Sequence, residues 1–160
     1  MASSYSSDLS LELITTGEKA GLWGTITNTN LQILQQAASG YVAVPMTSGS
    51  DVTLSLADGS DTANGKNLYL KLTGTMTASI SLIIPTATSG GTATRTYIIE
   101  DTTDRTTANN YTINIKTAGS STPVPLPEGA NIIVRSDGTD TVLAFIKPGI
   151  KNITAATITA

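Results

Sequence analysis

Asn67-Leu68-Tyr69-Leu70-Lys71-Leu72 and Ser79-Ile80-Ser81-Leu82-Ile83-Ile84 decide the fold class. In the first, Leu68, Leu70 and Leu72 alternate with Tyr69 and Lys71; in the second, alternation gives way to a short apolar run. Both are the marks of strands with at least one buried face. The same texture recurs in Val52-Thr53-Leu54-Ser55-Leu56, Arg95-Thr96-Tyr97-Ile98-Ile99-Glu100 and Tyr111-Thr112-Ile113-Asn114-Ile115-Lys116. It returns in Ile132-Ile133-Val134-Arg135 and Thr141-Val142-Leu143-Ala144-Phe145-Ile146. Turn residues separate these runs: Asp58-Gly59, Asn64-Gly65, Gly74, Ser89-Gly90-Gly91, Glu128-Gly129 and Asp137-Gly138. Asp-Gly suits a hairpin turn, because glycine takes positive φ without steric cost. Many short strands with regular turns predict a mainly β fold, an antiparallel β-sandwich or jelly-roll-like domain over residues 46–148.

Composition narrows the chemistry. The chain has 160 residues, no Cys and no His, so thiol nucleophiles, disulfides, His-ligated metals and Ser-His-Asp arrangements are excluded. A net charge of −3 argues against nucleic-acid binding, which uses a basic patch. Charged residues make up 13%, half the usual share, while Ser and Thr make up roughly a quarter of the chain. Threonine on outward strand positions favours extended backbone and keeps its hydroxyl in water. The start, Met1-Ala2-Ser3-Ser4-Tyr5-Ser6-Ser7-Asp8, lacks the charged and apolar regions of a signal peptide. No apolar run is long enough for a transmembrane helix. Synthesis in a cytoplasm, with no membrane insertion, is the expectation.

Residues 1–45 read differently. Leu9-Ser10-Leu11-Glu12-Leu13 alternates and predicts a short strand; a turn-rich loop follows from Thr15 to Gly21. Trp23, Ile26, Ile33, Leu34 and Ala37 then fall at helical spacing, predicting a helix over about 24–39 with Gly40 as a left-handed cap. Trp23 is read as an anchor for that helix against a sheet or a partner, with Gly21 and Gly24 permitting close approach. The tail, 149–160, follows a Pro-Gly break and predicts a last strand or an arm.

The remaining candidates for chemistry are weak. Glu100-Asp101-Thr102-Thr103-Asp104-Arg105 is the densest acidic cluster, and it reads as a solvated loop in which Arg105 neutralises a neighbour. The Asp58 and Asp137 segments lack the ligand spacing of a calcium loop, and Ser89-Gly90-Gly91-Thr92 lacks the ending of a phosphate loop. No catalytic residue, cofactor or metal is assigned.

Gly17-Glu18-Lys19-Ala20-Gly21-Leu22-Trp23-Gly24-Thr25-Ile26-Thr27-Asn28-Thr29-Asn30-Leu31, ending in Gly40-Tyr41, resembles a motif of tailed-bacteriophage virion proteins of tail-fibre or tail-associated type. The pattern is Gly-x-Trp-Gly, a spacer, Asn-x-Asn, then a helix; Trp23, Gly24, Asn28 and Asn30 match it. Asn67–Thr75 and Arg135–Asp140 are similar to the β module of the same group, so the resemblance covers most of residues 9–146. It implies a non-enzymatic virion structural protein that docks on the particle and presents a β domain for host attachment. Trp23, Gly24, Asn28, Asn30 and Leu34 would carry docking and assembly, with Asn28 and Asn30 tying the helix start to the preceding loop. The implied partners are other virion proteins of tail or capsid and further copies of the chain, as a homotrimer. No long shaft or sustained heptad pattern is present, which points to a short tip, collar, adaptor or capsid-surface subunit. Two alternatives stand beside this reading. One is a capsid decoration or head-fibre protein; the other is a glycan-binding module for host polysaccharide, with Tyr69, Tyr97 and Tyr111 as candidate contacts.

Overall fold

The computed structural model describes residues 3–105, 110–120 and 122–147, with 141–147 by backbone alone. The arm or strand expected at 149–160 lies outside the described residues. In chain order come β1 (Ser4–Tyr5), β2 (Glu12–Leu13), α1 (Trp23–Ser39), β3 (Tyr41–Pro45), β4 (Val52–Thr53), β5 (Tyr69–Thr73) and β6 (Ile80–Ile84). There follow β7 (Ala87–Thr88), β8 (Gly91–Thr92), β9 (Arg95–Asp101), β10 (Ile113–Thr117), β11 (Val124–Leu126), β12 (Asn131–Ser136) and β13 (Thr141–Lys147). The fold is mainly β with one helix among the described residues. No helix among them is long and apolar enough to cross a membrane.

The pairing departs from the antiparallel expectation. Among the described residues, one sheet runs β13-β12-β9-β5-β3 and a second runs β11-β10-β6-β4, with two small ribbons, β1-β2 and β7-β8. Consecutive strands alternate between the two large sheets: β3, β5 and β9 lie in the first, β4, β6 and β10 in the second. Within each sheet these three are parallel neighbours. The chain therefore winds in stacked coils rather than folding back in hairpins. Antiparallel pairing enters at the far end, where β11 returns along β10, β12 along β9, and β13 along β12. The physical reason lies in the connections. Residues 46–51 and 74–79 are long enough to carry the chain across to the opposite sheet, whereas a hairpin reverses it within one sheet.

The coils are held by backbone and by ladders of like side chains. Val42, Leu70, Ile99 and Ile132 are consecutive register partners across four strands of the first sheet. They face Ile80, Leu82, Ile84, Ile113 and Ile115 of the second sheet in one apolar core. The backbone ladder also runs around a corner: Met46 N–H donates to Thr73 O at 2.9 Å, and Met76 N–H to Asp104 O at 2.9 Å. Thr75 and Asp104 bridge in parallel. Pro125 sits outward on the edge strand β11, where its missing N–H costs nothing.

The turns follow a split pattern. Asp137-Gly138 closes the β12–β13 hairpin as expected, with Asp137 Oδ1 accepting from the N–H groups of Thr139 and Asp140. Asp58-Gly59 closes no hairpin; it lies in the long link from β4 to β5. The predicted strand at Leu9–Leu13 is shorter, because Ser10 is buried at φ 52° and breaks the extended run. Its hydroxyl donates to Leu56 O at 3.1 Å, pinning the N-terminal segment to the coils.

Two charged features in the interior act in opposite directions. The acidic cluster is no solvated loop. Asp101 and Arg105 are buried, and Arg105 Nη2 lies 2.6 Å from Asp101 Oδ2. Asp101 also accepts from the Thr103 N–H and hydroxyl and from the Gly129 N–H, while Arg105 Nη1 donates to Leu126 O. This network ties the β9 end to the β11–β12 return. Lys66 is also fully buried, yet its Nζ has no hydrogen-bond partner among the described residues. Burial pushes its pKa down to about 8, against the pull of Asp58, helped by Arg95 and opposed by Asp61.

Removing one partner of a satisfied buried pair strands the other. Asp101→Ala is expected to lower unfolding stability by about 3–5 kcal/mol, measured by denaturant titration. Lys66→Met should do the reverse. Between pH 8 and the ordinary lysine value near 10.4 the unfolded chain holds more protons at this site than the folded one, so folding stability rises with pH there. Below pH 8 the full cost of burying the charge remains. Lys66→Met should therefore gain about 2–3 kcal/mol at pH 7 and lose the upward slope between pH 8 and 9.5, read from melting curves at each pH.

Candidate docking surface

Helix α1 spans Trp23–Ser39, one residue longer than predicted, and leads directly into β3. Nothing local stabilises its ends strongly. Leu22 occupies the N-cap without a side-chain hydrogen bond, the first turn has no acidic residue, and the last has no basic one. Gly40 is not a left-handed cap: its φ is −67°. A Cβ there would collide with the Gln36 backbone and the Asn67 side chain, so glycine serves close approach instead.

The inner side of α1 is anchored at few points. Ile33 is its one fully buried residue. Asn30 clamps the preceding strand: its Oδ1 accepts from Glu12 N–H at 3.0 Å and its Nδ2 donates to Glu12 O at 2.9 Å. Gln36 Nε2 donates to Asp61 O, and Gln36 O accepts from the N–H groups of Gly40 and Leu68. The loop before the helix is tied to the same strand. Lys19 Nζ lies 2.9 Å from Glu12 Oε1 and donates to Ser3 Oγ at 2.8 Å. These Lys19 and Ser3 contacts hold the Glu12 carboxyl below its ordinary range.

The outer side is open. Trp23 is 64% exposed, Leu31 57% and Leu34 43%. Trp23 therefore does not pack the helix against the sheets of its own chain. Gly24 is exposed and a Cβ on it would meet no neighbour, so no close approach explains it. Asn28 is exposed, and its side chain makes no hydrogen bond among the described residues; the tie to the preceding segment comes from Asn30. Of the five residues expected to carry docking, Trp23, Gly24, Asn28 and Leu34 thus face outward, and Asn30 holds the helix in place. Leu31 was not singled out from the sequence. Its place three residues before Leu34 and four after Thr27 was the available signal.

The three candidate glycan tyrosines do not converge. Tyr97 is fully buried, its hydroxyl donating to Gly65 O at 2.8 Å and its ring lying 5.6 Å from the Arg95 guanidinium carbon. Burial raises its phenol above the ordinary value, and no sugar reaches it. Tyr111 is half-buried against the core. Tyr69 is at the surface, stacked on Tyr41 with ring centroids 5.7 Å apart, and its hydroxyl donates to Glu100 Oε2 at 3.0 Å. The register explains the stack, since Tyr41 and Tyr69 are direct partners on parallel strands. Tyr41, read from the sequence only as the end of the motif, was not among the candidate contacts because that pairing is invisible there.

A groove of about 390 Å³ lies along the polar flank of α1, lined by Gln32, Gln35, Gln36, Tyr41 and Asp61. Among the described residues no three His, Cys, Asp or Glu side chains are grouped to hold a metal ion. Comparison with known proteins finds no match: no family model, no curated protein and no solved structure matches this chain.

Asn30→Ala removes both hydrogen bonds to Glu12 and leaves its half-buried peptide groups without that partner. The expected cost is about 1–3 kcal/mol, with faster amide hydrogen exchange confined to Ser4–Leu13. Unchanged exchange there would mean that Asn30 does not hold the strand.

Proposed function

We propose that this chain is a non-enzymatic structural subunit of a bacteriophage virion, of tail-fibre or tail-associated type. Its α1 end docks on the particle and its wound β body is presented outward, for host attachment. One observation supports the docking role above the others: the chain's single Trp, with Leu31 and Leu34, stands in solvent on a helix whose inner side is held at a few points by Ile33, Asn30 and Gln36. An exposed indole beside two leucines is what a protein contact uses and what an isolated surface avoids. The virion assignment itself rests on the Gly-x-Trp-Gly and Asn-x-Asn resemblance. In this reading the two large sheets form a sandwich wound from coils, a passive spacer whose charges are spent on internal ties such as Asp101–Arg105. The working state is a homo-oligomer, with three copies implied by the resemblance.

A second reading, glycan binding, keeps one specific observation in its favour: the surface stack of Tyr41 on Tyr69 beside Glu100. Tyr41→Ala and Tyr69→Ala variants on a glycan array separate it from a scaffold role.

The decisive experiment is detection in particles. Mass spectrometry and antibody labelling of purified virions should find the chain on the tail, and incubation with host polysaccharide should release no reducing ends. Enrichment on heads lacking tails would move the assignment to capsid decoration. Absence from particles altogether would overturn the virion reading.

A further inference from the structure

We infer that the cleft beside Arg95, between the N-terminal segment, α1 and the start of β9, binds a carboxylate that carries a short aliphatic group. The cleft measures about 210 Å³ and is lined by Leu9, Ala37, Leu68, Thr94, Arg95 and Thr96. That is below the usual range of drug-sized pockets, about 300–1,000 Å³, so the ligand is a small acid or the end of a chain. Leu9, Ala37 and Leu68 give it aliphatic walls from three separate segments. Thr94 and Thr96 stand exposed at its rim, whereas Arg95 is only 8% exposed and is the buried member of the lining.

The guanidinium selects an anion. It stays charged at every physiological pH, and its planar fork of N–H donors matches a carboxylate. Nη1 donates to Asp8 O at 3.2 Å and Nη2 to Lys66 O at 2.8 Å, and both acceptors are neutral backbone carbonyls. Nε is buried and has no hydrogen-bond partner among the described residues. No carboxylate among them comes within ion-pair distance of Arg95. Asp8 spends its own carboxylate on the Thr94 N–H and hydroxyl, at 2.7 and 3.0 Å. The Tyr97 ring lies under the guanidinium at 5.6 Å but offers it no carboxylate. Arg105, equally buried, shows the completed arrangement: Nη2 sits 2.6 Å from Asp101 Oδ2, and Nε donates to Thr103 Oγ1 at 3.2 Å. A buried charge without a counter-ion is costly, and a bound carboxylate gives Arg95 what Asp101 gives Arg105. The walls select the rest of the ligand. Leu9, Ala37 and Leu68 have no polar side-chain atoms, so an aliphatic group gains by leaving water there and a polar one loses its hydrogen bonds.

The test uses the full-length chain, with isovalerate as the small acid and acetyl-Gly-Leu as the chain end. In proton–nitrogen and proton–carbon NMR titrations, each should shift the Arg95 Nε–H and the methyl signals of Leu9, Ala37 and Leu68, with millimolar affinity. Isovaleramide, the uncharged isostere, should bind at least about tenfold more weakly, and sodium chloride at matched ionic strength should leave the methyl signals in place. Ala37→Leu narrows the cleft from α1 and removes neither hydrogen bond of Arg95. It should leave the far-ultraviolet circular dichroism unchanged and weaken binding of both acids at least about tenfold. Tighter binding of acetyl-Gly-Leu assigns the site to a chain terminus, and tighter binding of isovalerate to a free acid. The inference is overturned if neither acid shifts these signals at tens of millimolar, or if isovaleramide binds as well as isovalerate. A folded Ala37→Leu chain that binds both acids undiminished overturns it too. None of these results bears on detection in particles, so the two proposals fail separately.

Discussion

Parallel stacking of successive coils is the constraint on which the rest of the molecule depends. Each coil places one strand in each large sheet, and the next coil lays its strands directly against them. A parallel strand has no side-chain partner of its own choosing; it inherits register from the whole coil. The aliphatic ladder of Val42, Leu70, Ile99 and Ile132 satisfies that demand, because a slip by one residue would turn Leu70 and Ile99 outward together. Corners are fastened by the same logic, with Met46 and Met76 donating backbone hydrogen bonds to the neighbouring coil and burying their side chains inside it.

Stacks of this kind expose an end, and the two ends are treated differently here. At one end, the antiparallel return of β11, β12 and β13 covers the last coil, and the Asp101–Arg105 network fixes where that return begins. At the other, β3 is an edge of the large sheet and α1 stands beside it. The helix is seated by directional polar contacts, Asn30 to Glu12 and Gln36 to Asp61, more than by apolar burial. Polar seating leaves the apolar residues of α1 free for another surface. That division of labour is the link between the fold and the proposed role in assembly.

Lys66 shows the cost of such packing. The 3-10 turn Asn64–Lys66 lies under α1, and its backbone is well used: Gly65 O accepts from the Tyr97 hydroxyl and Lys66 O from Arg95 Nη2. The side chain is carried into the interior along with this turn, although among the described residues no hydrogen-bond partner waits for its ammonium group. A local backbone requirement has overridden the preference of a charge for water.

Much of this was readable in the residues themselves. Period-two alternation located β5, β6, β9, β10, β12 and β13 within two residues and missed β3 and β11 of the large sheets, helical spacing located α1, and the lack of Cys and His removed whole classes of chemistry. Alternation reports only which side of a strand is buried. It is silent about which strand lies alongside, because a six-residue corner with glycine serves a hairpin and a coil equally. The recurrence of coils about 30 residues apart was hidden for the same reason, since the ladders repeat shape and apolarity rather than residue identity. Partnership across the fold also decided that Tyr97 is buried and Tyr69 stacked on Tyr41, and that Asp101 and Arg105 meet inside. Trp23 is the clearest case: the large area of its indole predicted an anchor for the helix against a sheet or a partner, and only the tertiary packing, which spends the inner face of α1 on Ile33 and Asn30, left it pointing away from the sheets of its own chain.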